Sequence, residues 1–174
     1  MTREEILQNS LWTEARLKVY SDFFAADLWI NLVTDFKSLR FVEGPIVSET
    51  MTQTINDFLN WSQDDRPKLA KLLYDHCRRC CEEASYGVEV REGESETEAN
   101  LREFGVSSAE DAFREASLPR ISIEDDQKEQ RKHRYVTICF YPPWEQEHGC
   151  ELVLQNGSLL DYAGEHGTYL RQFE

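Results

Sequence analysis

Alternation of apolar and polar residues is clearest in the last third of the chain. Val136, Ile138 and Phe140 recur at every second position, which is the pattern of a strand with one buried face. Pro142 and Pro143 end this run, because proline has no amide hydrogen to donate to a neighbouring strand. The run therefore predicts one strand of an antiparallel sheet.

The residues that follow predict a hairpin. Alternation resumes over residues 150–155, and the dipeptide Asn156-Gly157 comes directly afterwards. This dipeptide readily adopts the positive φ angles of a type I′ turn, so residues 159–163 are expected to return as the partner strand. Residues 133–164 are thus predicted to form an antiparallel meander.

A second pair of strands is predicted near the start of the chain, after a short helix over residues 3–8. Alternation runs over residues 13–20 and again over residues 27–32, so these segments are expected to form a hairpin with one exposed face. A brief strand at 121–123 is predicted much later, ahead of a charged turn over 124–134.

Amphipathic helices separate these strand regions. Ser48 is a good N-cap, and apolar residues at helical spacing predict a helix over 48–60. A continuous apolar stripe predicts a second helix over 66–84, with Pro67 in its first turn. Because the link between them is short, these two helices are expected to pack antiparallel. A capping-box pattern at Ser107 predicts a short third helix.

Residues 85–104 differ from the rest of the chain in composition. They are rich in glutamate and contain few apolar residues, so they are not expected to bury enough surface to hold a fixed structure. This segment is predicted to be a mobile acidic loop inside one domain that spans residues 1–174.

The order of these elements predicts the fold class. Strands and helices come in runs rather than in strict alternation, which favours an α+β fold. The expected architecture is an antiparallel sheet, made of the N-terminal hairpin and the C-terminal meander, with the two main helices packed on one face.

The charge balance limits the classes of partner. The chain has 174 residues, 30% of them charged, and a formal charge of −14 at pH 7. This excess of negative charge argues against binding to nucleic acid or to anionic membranes, and it favours a basic protein partner. The alternative is that the charge serves solubility alone.

The same composition predicts a cytoplasmic protein. No apolar leader follows Met1, and the most apolar stretch, residues 23–33, contains Asp27 and Asn31, so neither a secretory signal nor a membrane span is expected. Five cysteines are an odd number in a chain large enough to fold without disulfides, which predicts reduced thiols.

Cys77 and Cys80 form a Cys-x-x-Cys pair, the first candidate for chemistry. Such a pair can hold zinc or exchange disulfides, but no second ligand pair has a comparable spacing. The pair also lies near the end of its predicted helix, where the dipole does not activate a thiol. Both cysteines and the nearby His76 continue the apolar stripe, so they are interpreted as core residues, and no metal or cofactor is predicted.

Two Glu-His dipeptides are the second candidate. Glu147-His148 and Glu165-His166 follow neighbouring strand regions, where they could converge on a metal or form an acid–base pair. Adjacent strand residues point to opposite faces, so each dipeptide offers only one member to a shared site. The alternative is local: Glu147 caps the corner, His148 bonds the backbone, and Gly149 supplies the conformation that the next strand needs.

Trp144 precedes these dipeptides in a loop and is the third candidate. It either plugs the end of the core, which is favoured, or stands exposed as a contact residue. In the second case Trp144, Glu147 and His148 form a binding surface. No nucleophile elbow, phosphate-binding loop or dinucleotide motif is found, so no catalytic residue is assigned.

The corner and its flanks resemble a known family. Residues Trp144 to Gly149, followed by a strand and Asn156-Gly157, resemble the Trp-x-x-Glu-His-Gly signature of an uncharacterised bacterial domain family. The front half is similar at Trp12-Thr13-Glu14 and at Glu43-Gly44-Pro45. The acidic segment 85–104 departs from the compact family pattern. Because some related domains resemble immunity proteins encoded near bacterial toxins, the resemblance implies a bacterial cytoplasmic protein that acts by binding.

Three functions follow from these observations. The first is a non-catalytic protein-binding or accessory module, of which a toxin-neutralising immunity protein is one form. The alternative is a metal-assisted hydrolase that uses His148, His166 and a neighbouring glutamate. The third is a scaffold without a binding site. The acidic composition and the missing catalytic motifs favour the first.

Overall fold

The computed structural model describes residues 1–11, 15–33, 47–124 and 132–173. Within these ranges the helices are α1 (Arg3–Asn9), α2 (Glu49–Leu59), α3 (Arg66–Glu83), α4 (Glu96–Glu103) and α5 (Ala109–Glu115). The strands are β1 (Ser10–Leu11), β2 (Arg16–Ser21), β3 (Ala26–Val33), β4 (Arg120–Glu124), β5 (Tyr135–Phe140), β6 (Cys150–Gln155) and β7 (Ser158–Leu159). Short 3-10 helices occupy Gln63–Asp65 and Leu170–Phe173.

The seven strands form one open sheet in the order β1-β2-β3-β4-β5-β6-β7. Neighbouring strands are antiparallel except β3 and β4, which are parallel. The predicted α+β fold, with an N-terminal hairpin and a C-terminal meander, is confirmed. The predicted brief strand, β4, lies between the hairpin and the meander and joins them into a single sheet.

The helices cover one face of this sheet, called the inner face below. Every second residue of the strands points into the core on this side, as the alternation predicts. The buried strand residues are Leu17, Val19, Leu28, Ile30, Leu32, Ile121, Ile123, Val136, Ile138, Phe140, Leu152 and Leu154. The helices add Met51, Ile55, Phe58, Leu69, Leu72, Leu73 and Cys77 to the same cluster. Burying one such aliphatic or aromatic side chain contributes about 1.5–3 kcal/mol, so the helix stripes and the sheet stabilise each other.

The two main helices begin where their sequence signals predict. The Ser48 hydroxyl accepts a hydrogen bond from the Met51 amide at 2.9 Å and caps α2. Pro67 lies in the first turn of α3, where its missing amide hydrogen has no cost. The helices predicted over 48–60 and 66–84 are therefore confirmed, whereas the N-cap of α5 is Ser108, one residue later than predicted.

The expected antiparallel pair of α2 and α3 is wrong. α3 packs mainly against α4 and α5 rather than against α2. The connection between α2 and α3 carries Trp61, which is buried and stacks on Phe23 with 4.1 Å between ring centroids. This aromatic pair, rather than a contact between the two helices, fills the space beside the connection.

The segment 85–104 is not a loop throughout, because α4 occupies its second half. Ser95 forms a capping box at the start of α4. Asn100 is fully buried, and its amide group donates hydrogen bonds to the carbonyls of Cys81 and Ala84 at 3.2 and 3.3 Å. This side chain ties α4 to the end of α3, where helix carbonyls lack partners of their own. The prediction of a loop is wrong here, since the composition concealed a local cap and a buried anchor.

The last strand of the sheet is shorter than predicted. Asn156 and Gly157 have φ angles of 49° and 83°, as the predicted turn requires. However, β7 has only two residues, so the partner strand predicted over 159–163 is too long. Beyond β7 the Leu160 amide still donates to the Val153 carbonyl at 3.0 Å, and Gly164 bridges to Glu151, so the chain stays beside β6 without forming a regular strand. Leu160 and Tyr162 pack with Tyr135 and Val153 on the opposite face of the sheet.

Several predictions fall partly outside the described residues. These are the first two residues of the strand predicted over 13–20, the family motifs at Trp12-Thr13-Glu14 and Glu43-Gly44-Pro45, and most of the charged turn over 124–134.

In the ranges that are described, no helix is both long and apolar enough to cross a bilayer.

Candidate functional site

The face of the sheet opposite the helices, called the outer face, is covered only in part. Residues 160–171 fold back across β5 and β6, where Tyr135, Val153 and Leu170 form a second, smaller apolar cluster. No other described element covers β2, β3 and β4 in this way. Their outward side chains are called the open half-face below and comprise Arg16, Lys18, Tyr20, Asp27, Trp29, Asn31, Arg120 and Ser122.

Glu151 holds the folded-back segment in place. It is only 1% exposed, and its carboxylate accepts hydrogen bonds from the backbone amides of Gly167 at 2.8 Å and Tyr169 at 3.1 Å. The backbone of Glu151 also pairs with Gly164 in both directions, at 2.7 and 3.2 Å. A buried carboxylate requires such donors, so this residue ties the segment to the start of β6.

A cavity of about 520 Å³ opens between the folded-back segment and the open half-face, and is called the groove below. The strand register aligns a row of polar side chains along its floor, from β2 to β5: Arg16, Asn31, Ser122 and Thr137. The opposite wall comes from the folded-back segment and includes His166 and Leu170. The volume lies within the range typical of small-molecule sites.

Two arginines line the groove without a carboxylate partner among the described residues. Arg120 extends from the start of β4, and its guanidinium lies 5.5 Å from the centre of the Tyr141 ring. Arg171 extends from the folded-back segment close to Gly167, where an added Cβ would lie 3.6 Å from the Arg171 Nη2 atom. The groove is therefore lined by positively charged side chains, although the formal charge of the protein is −14.

Large aromatic side chains are exposed on the same side of the sheet. Tyr20 is 59% exposed and Trp29 is 39% exposed. The register of the hairpin places Trp29 opposite Lys18 and Tyr20 opposite Asp27, so the aromatic rings alternate with charged groups. Tryptophan, tyrosine and arginine are the residue types enriched in binding hot spots. The open half-face thus has the composition of a contact surface.

The predicted corner at Trp144 does not present its tryptophan to solvent. Trp144 is 2% exposed, and its indole Nε1 donates a hydrogen bond to Nδ1 of His76 at 3.2 Å. The Tyr86 hydroxyl donates to the Trp144 carbonyl at 2.8 Å. The interpretations of Trp144 as a plug and of His76 as a core residue are confirmed. Glu147 and His148 are exposed beside this plug, and a binding role for them stays a prediction.

The two Glu-His dipeptides meet through the backbone rather than through their side chains. The His166 amide donates to the His148 carbonyl at 3.1 Å, and the His148 amide donates to Oε1 of Glu145 at 3.1 Å. Glu145, rather than the predicted Glu147, therefore bonds the corner. Nδ1 of His166 lies 3.4 Å from the Tyr141 hydroxyl. Among the described residues, no group of three or more histidine, cysteine, aspartate or glutamate side chains is placed to hold a metal ion.

Gly149 completes the corner as predicted. Its φ angle is +70°, and a Cβ added there would lie 2.7 Å from the Phe140 carbonyl oxygen. Only glycine meets both conditions without strain. The tight approach lets β6 start directly beside the end of β5.

The Cys-x-x-Cys pair packs into the core. Cys77 is buried, Cys80 is half-buried, and all five cysteines of the chain are free thiols within the described ranges. Burial raises the pKa of Cys80 to about 11. Raising a thiol pKa keeps it protonated at neutral pH, and a protonated thiol is a poor nucleophile and a poor metal ligand. The interpretation of this pair as packing residues is confirmed.

His76 is held in its neutral form by its surroundings. Burial, with a smaller contribution from Arg79, lowers the pKa of His76 to about 4, against an opposing effect of Glu145. The neutral imidazole keeps Nδ1 free to accept the bond from Trp144, and Cys80 Sγ lies 3.7 Å from the same nitrogen.

We therefore expect acidification to destabilise the protein through His76. Between pH 7 and pH 4 the unfolded histidine takes up a proton, since its pKa is about 6.5, while the folded one stays largely neutral. Protonation therefore favours the unfolded state, and the free energy of unfolding falls by about 3 kcal/mol between pH 7 and pH 4. In His76→Gln the amide oxygen can still accept the hydrogen bond from Trp144, but the side chain does not titrate. Between pH 7 and pH 4 its free energy of unfolding, measured with urea, should therefore fall by about 3 kcal/mol less than that of the wild type. The exposed control His148→Gln should follow the wild type; equal losses in His76→Gln and the wild type would contradict the assignment.

The groove was not predicted from the sequence, because its residues come from distant parts of the chain. Arg16 and Asn31 alternate with buried positions, which indicates that both point outward but not what faces them. Arg120 and Arg171 lie 51 positions apart (171 − 120) and belong to no recognisable motif. Only the backward fold of the C-terminal segment brings Arg171 to the sheet.

These features define an α+β protein in which helices cover one face of an open seven-stranded sheet and a cationic groove lies on the other. The chain belongs to the family described as Domain of unknown function (DUF6985), whose model matches residues 4–170. No curated protein and no solved structure matches the chain. The resemblance to an uncharacterised domain family is thus confirmed at the level of the family.

Proposed function

We propose that the protein is a non-catalytic binding module that recognises another protein through the open half-face. One observation carries this proposal: Tyr20 and Trp29 are exposed on a strand surface that no described element covers. Exposing such side chains to water is unfavourable, and tryptophan in particular is highly buried on average, so their exposure is consistent with a contact surface. Arg120 lies on the same surface and adds a third residue of the type that dominates binding hot spots.

The partner is a protein of net positive charge, and the setting is the cytoplasm of a bacterium. The formal charge of −14 attracts a basic protein at long range and raises its rate of association, whereas contact chemistry is set by the surface that docks. Five free thiols support a reducing compartment. Neutralisation of a toxin, as immunity proteins perform it, is the form of binding that the family resemblance suggests.

Glu147 and His148 are a second contact surface in this proposal, because their side chains are exposed on a corner that Trp144 anchors.

Trp29→Ala should weaken binding of the partner at least about tenfold, because truncating an exposed aromatic hot-spot residue removes much of the contact energy. The partner is first isolated from a lysate of the source cell with immobilised wild-type protein and identified by mass spectrometry. Its affinity for purified wild type and variants is then measured by isothermal titration calorimetry.

Val90→Ala is the matched control, since Val90 is 46% exposed but lies outside the sheet, in the segment before α4. It should leave the affinity unchanged. The proposal is overturned if no protein is enriched above a blank matrix, or if Trp29→Ala and Val90→Ala bind the isolated partner as tightly as the wild type does.

A further inference from the structure

The groove has the chemistry of an anion site. Elsewhere in the described ranges, arginine and lysine side chains are commonly matched to carboxylates, as Arg66 is to Glu110 at 2.9 Å and Arg134 is to Asp57 at 2.8 Å. Arg120 and Arg171 have no such partner among the described residues, although the chain carries 33 acidic residues against 19 basic ones. Both line the same cavity. Two guanidinium groups that share a concave site offer paired donors to the oxygens of one phosphate or carboxylate group.

The floor and wall of the groove supply further polar groups. The Ser122 and Thr137 hydroxyls lie side by side on β4 and β5, and Thr137 Oγ1 donates to the Ser122 carbonyl at 3.3 Å. His166 lines the opposite wall. Glu151 is the one carboxylate among the described lining residues, and its oxygens already accept two backbone amides, which partly offset its charge.

Contacts within the chain hold the walls of the groove in place. Glu151 fixes the backbone of residues 167–169, directly ahead of Arg171, while Arg120 rests against the Tyr141 ring. A site whose donors are already positioned loses less entropy on binding. The groove thus combines preformed walls with two arginines, Arg120 and Arg171, that have no carboxylate partner in the described part of the chain.

We propose that the groove binds a small molecule through a phosphate or carboxylate group held between Arg120 and Arg171. The volume of about 520 Å³ suits a small molecule. A long polyanion such as nucleic acid is disfavoured, because the formal charge of −14 repels it beyond the groove. The groove shares Arg120 with the open half-face, but Tyr20 and Trp29 do not line it. Binding of a small anion is therefore measured without the protein partner, and it can fail while the proposed protein binding holds, or the reverse.

The test is a titration of the full chain with inorganic phosphate and, separately, with citrate, followed by isothermal titration calorimetry and by amide resonances in NMR spectra. We expect saturable binding that shifts the amide resonances of Ser122 and Gly167. Arg120→Ala and Arg171→Ala should each weaken it about tenfold or more, because each removes a charge-assisted hydrogen-bond donor. Arg120→Lys should recover part of the affinity, since it keeps the charge but loses the paired donors.

Arg91→Ala is the control, because Arg91 is likewise an exposed arginine but lies outside the groove. It should bind both anions as the wild type does. Tighter binding of phosphate than of citrate supports a phosphorylated ligand, and the reverse supports a carboxylate ligand. The proposal is overturned if neither anion binds saturably up to about 10 mM, or if the groove variants and Arg91→Ala bind equally well.

Discussion

Trp144→Ala is expected to lower the free energy of unfolding by about 3–5 kcal/mol, because it empties the largest kind of cavity that one side chain can leave. Trp144 is one of the largest fully buried side chains of the protein and belongs to the same core cluster as the inner face of the sheet. Its removal also leaves Nδ1 of His76 without the indole donor. Urea unfolding followed by circular dichroism at pH 7 measures the change.

A pair of further variants separates the contributions of volume and hydrogen bonding at this position. Trp144→Phe keeps most of the buried ring but not the bond to His76, and should lose about 1–3 kcal/mol. Trp29→Ala removes the same side chain from an exposed position and should change the free energy of unfolding by less than about 1 kcal/mol. If Trp144→Ala were no more destabilising than Trp29→Ala, the assignment of Trp144 as a plug of the core would be wrong.

Glu151→Ala is expected to release the folded-back segment and to lower the free energy of unfolding by about 2–4 kcal/mol. The variant leaves the half-buried amides of Gly167 and Tyr169 without their charged acceptor, which is itself only 1% exposed. These two amides should then exchange with deuterium much faster than in the wild type. The exchange rates of amides in α3 should rise only by the amount that the lower free energy of global unfolding accounts for. Hydrogen exchange followed by NMR resolves the two effects.

Glu165→Ala provides the matched control for this variant. Glu165 lies in the same segment, but its side chain is exposed, so its removal should leave both stability and exchange nearly unchanged. Glu151→Gln keeps one acceptor oxygen and should fall between the two. Unchanged protection of Gly167 in Glu151→Ala would show that the segment is held by other contacts.

The prediction of individual elements from the sequence was accurate where local physics decides the outcome. The strands β5 and β6 and the turn at Asn156-Gly157 form where their local patterns predict them. The same holds for α3, whose apolar stripe and Pro67 are local signals.

Two expectations about these regions are wrong. The expectation that the region of β5 and β6 has only one buried face is wrong, because every residue of β5 and all but the last of β6 are at least largely buried. The prediction of a loop over 85–104 is wrong for a physical reason. It was based on the acidic composition of the segment, whereas the capping box at Ser95 starts a helix there.

The candidate site was less predictable, since it depends on contacts between distant residues. The sequence left two environments open for Trp144, and only the packing of His76 against it decides between them. The groove arises because Glu151 draws the C-terminal segment across the outer face, which places Arg171 opposite β4. No spacing or motif in the chain indicates that contact.

By itself, then, the sequence determined the strands, the main helices and the side of each that faces the main core, because periodicity and caps act over a few neighbouring residues. The tertiary structure decided the order of strands in the sheet, through the parallel pairing of β3 with β4 between segments about 90 residues apart. It also decided which outward side chains are covered and which form the groove. Those outcomes depend on hydrogen bonds and packing between residues far apart in the chain, such as Glu151 with Gly167, which local patterns do not encode.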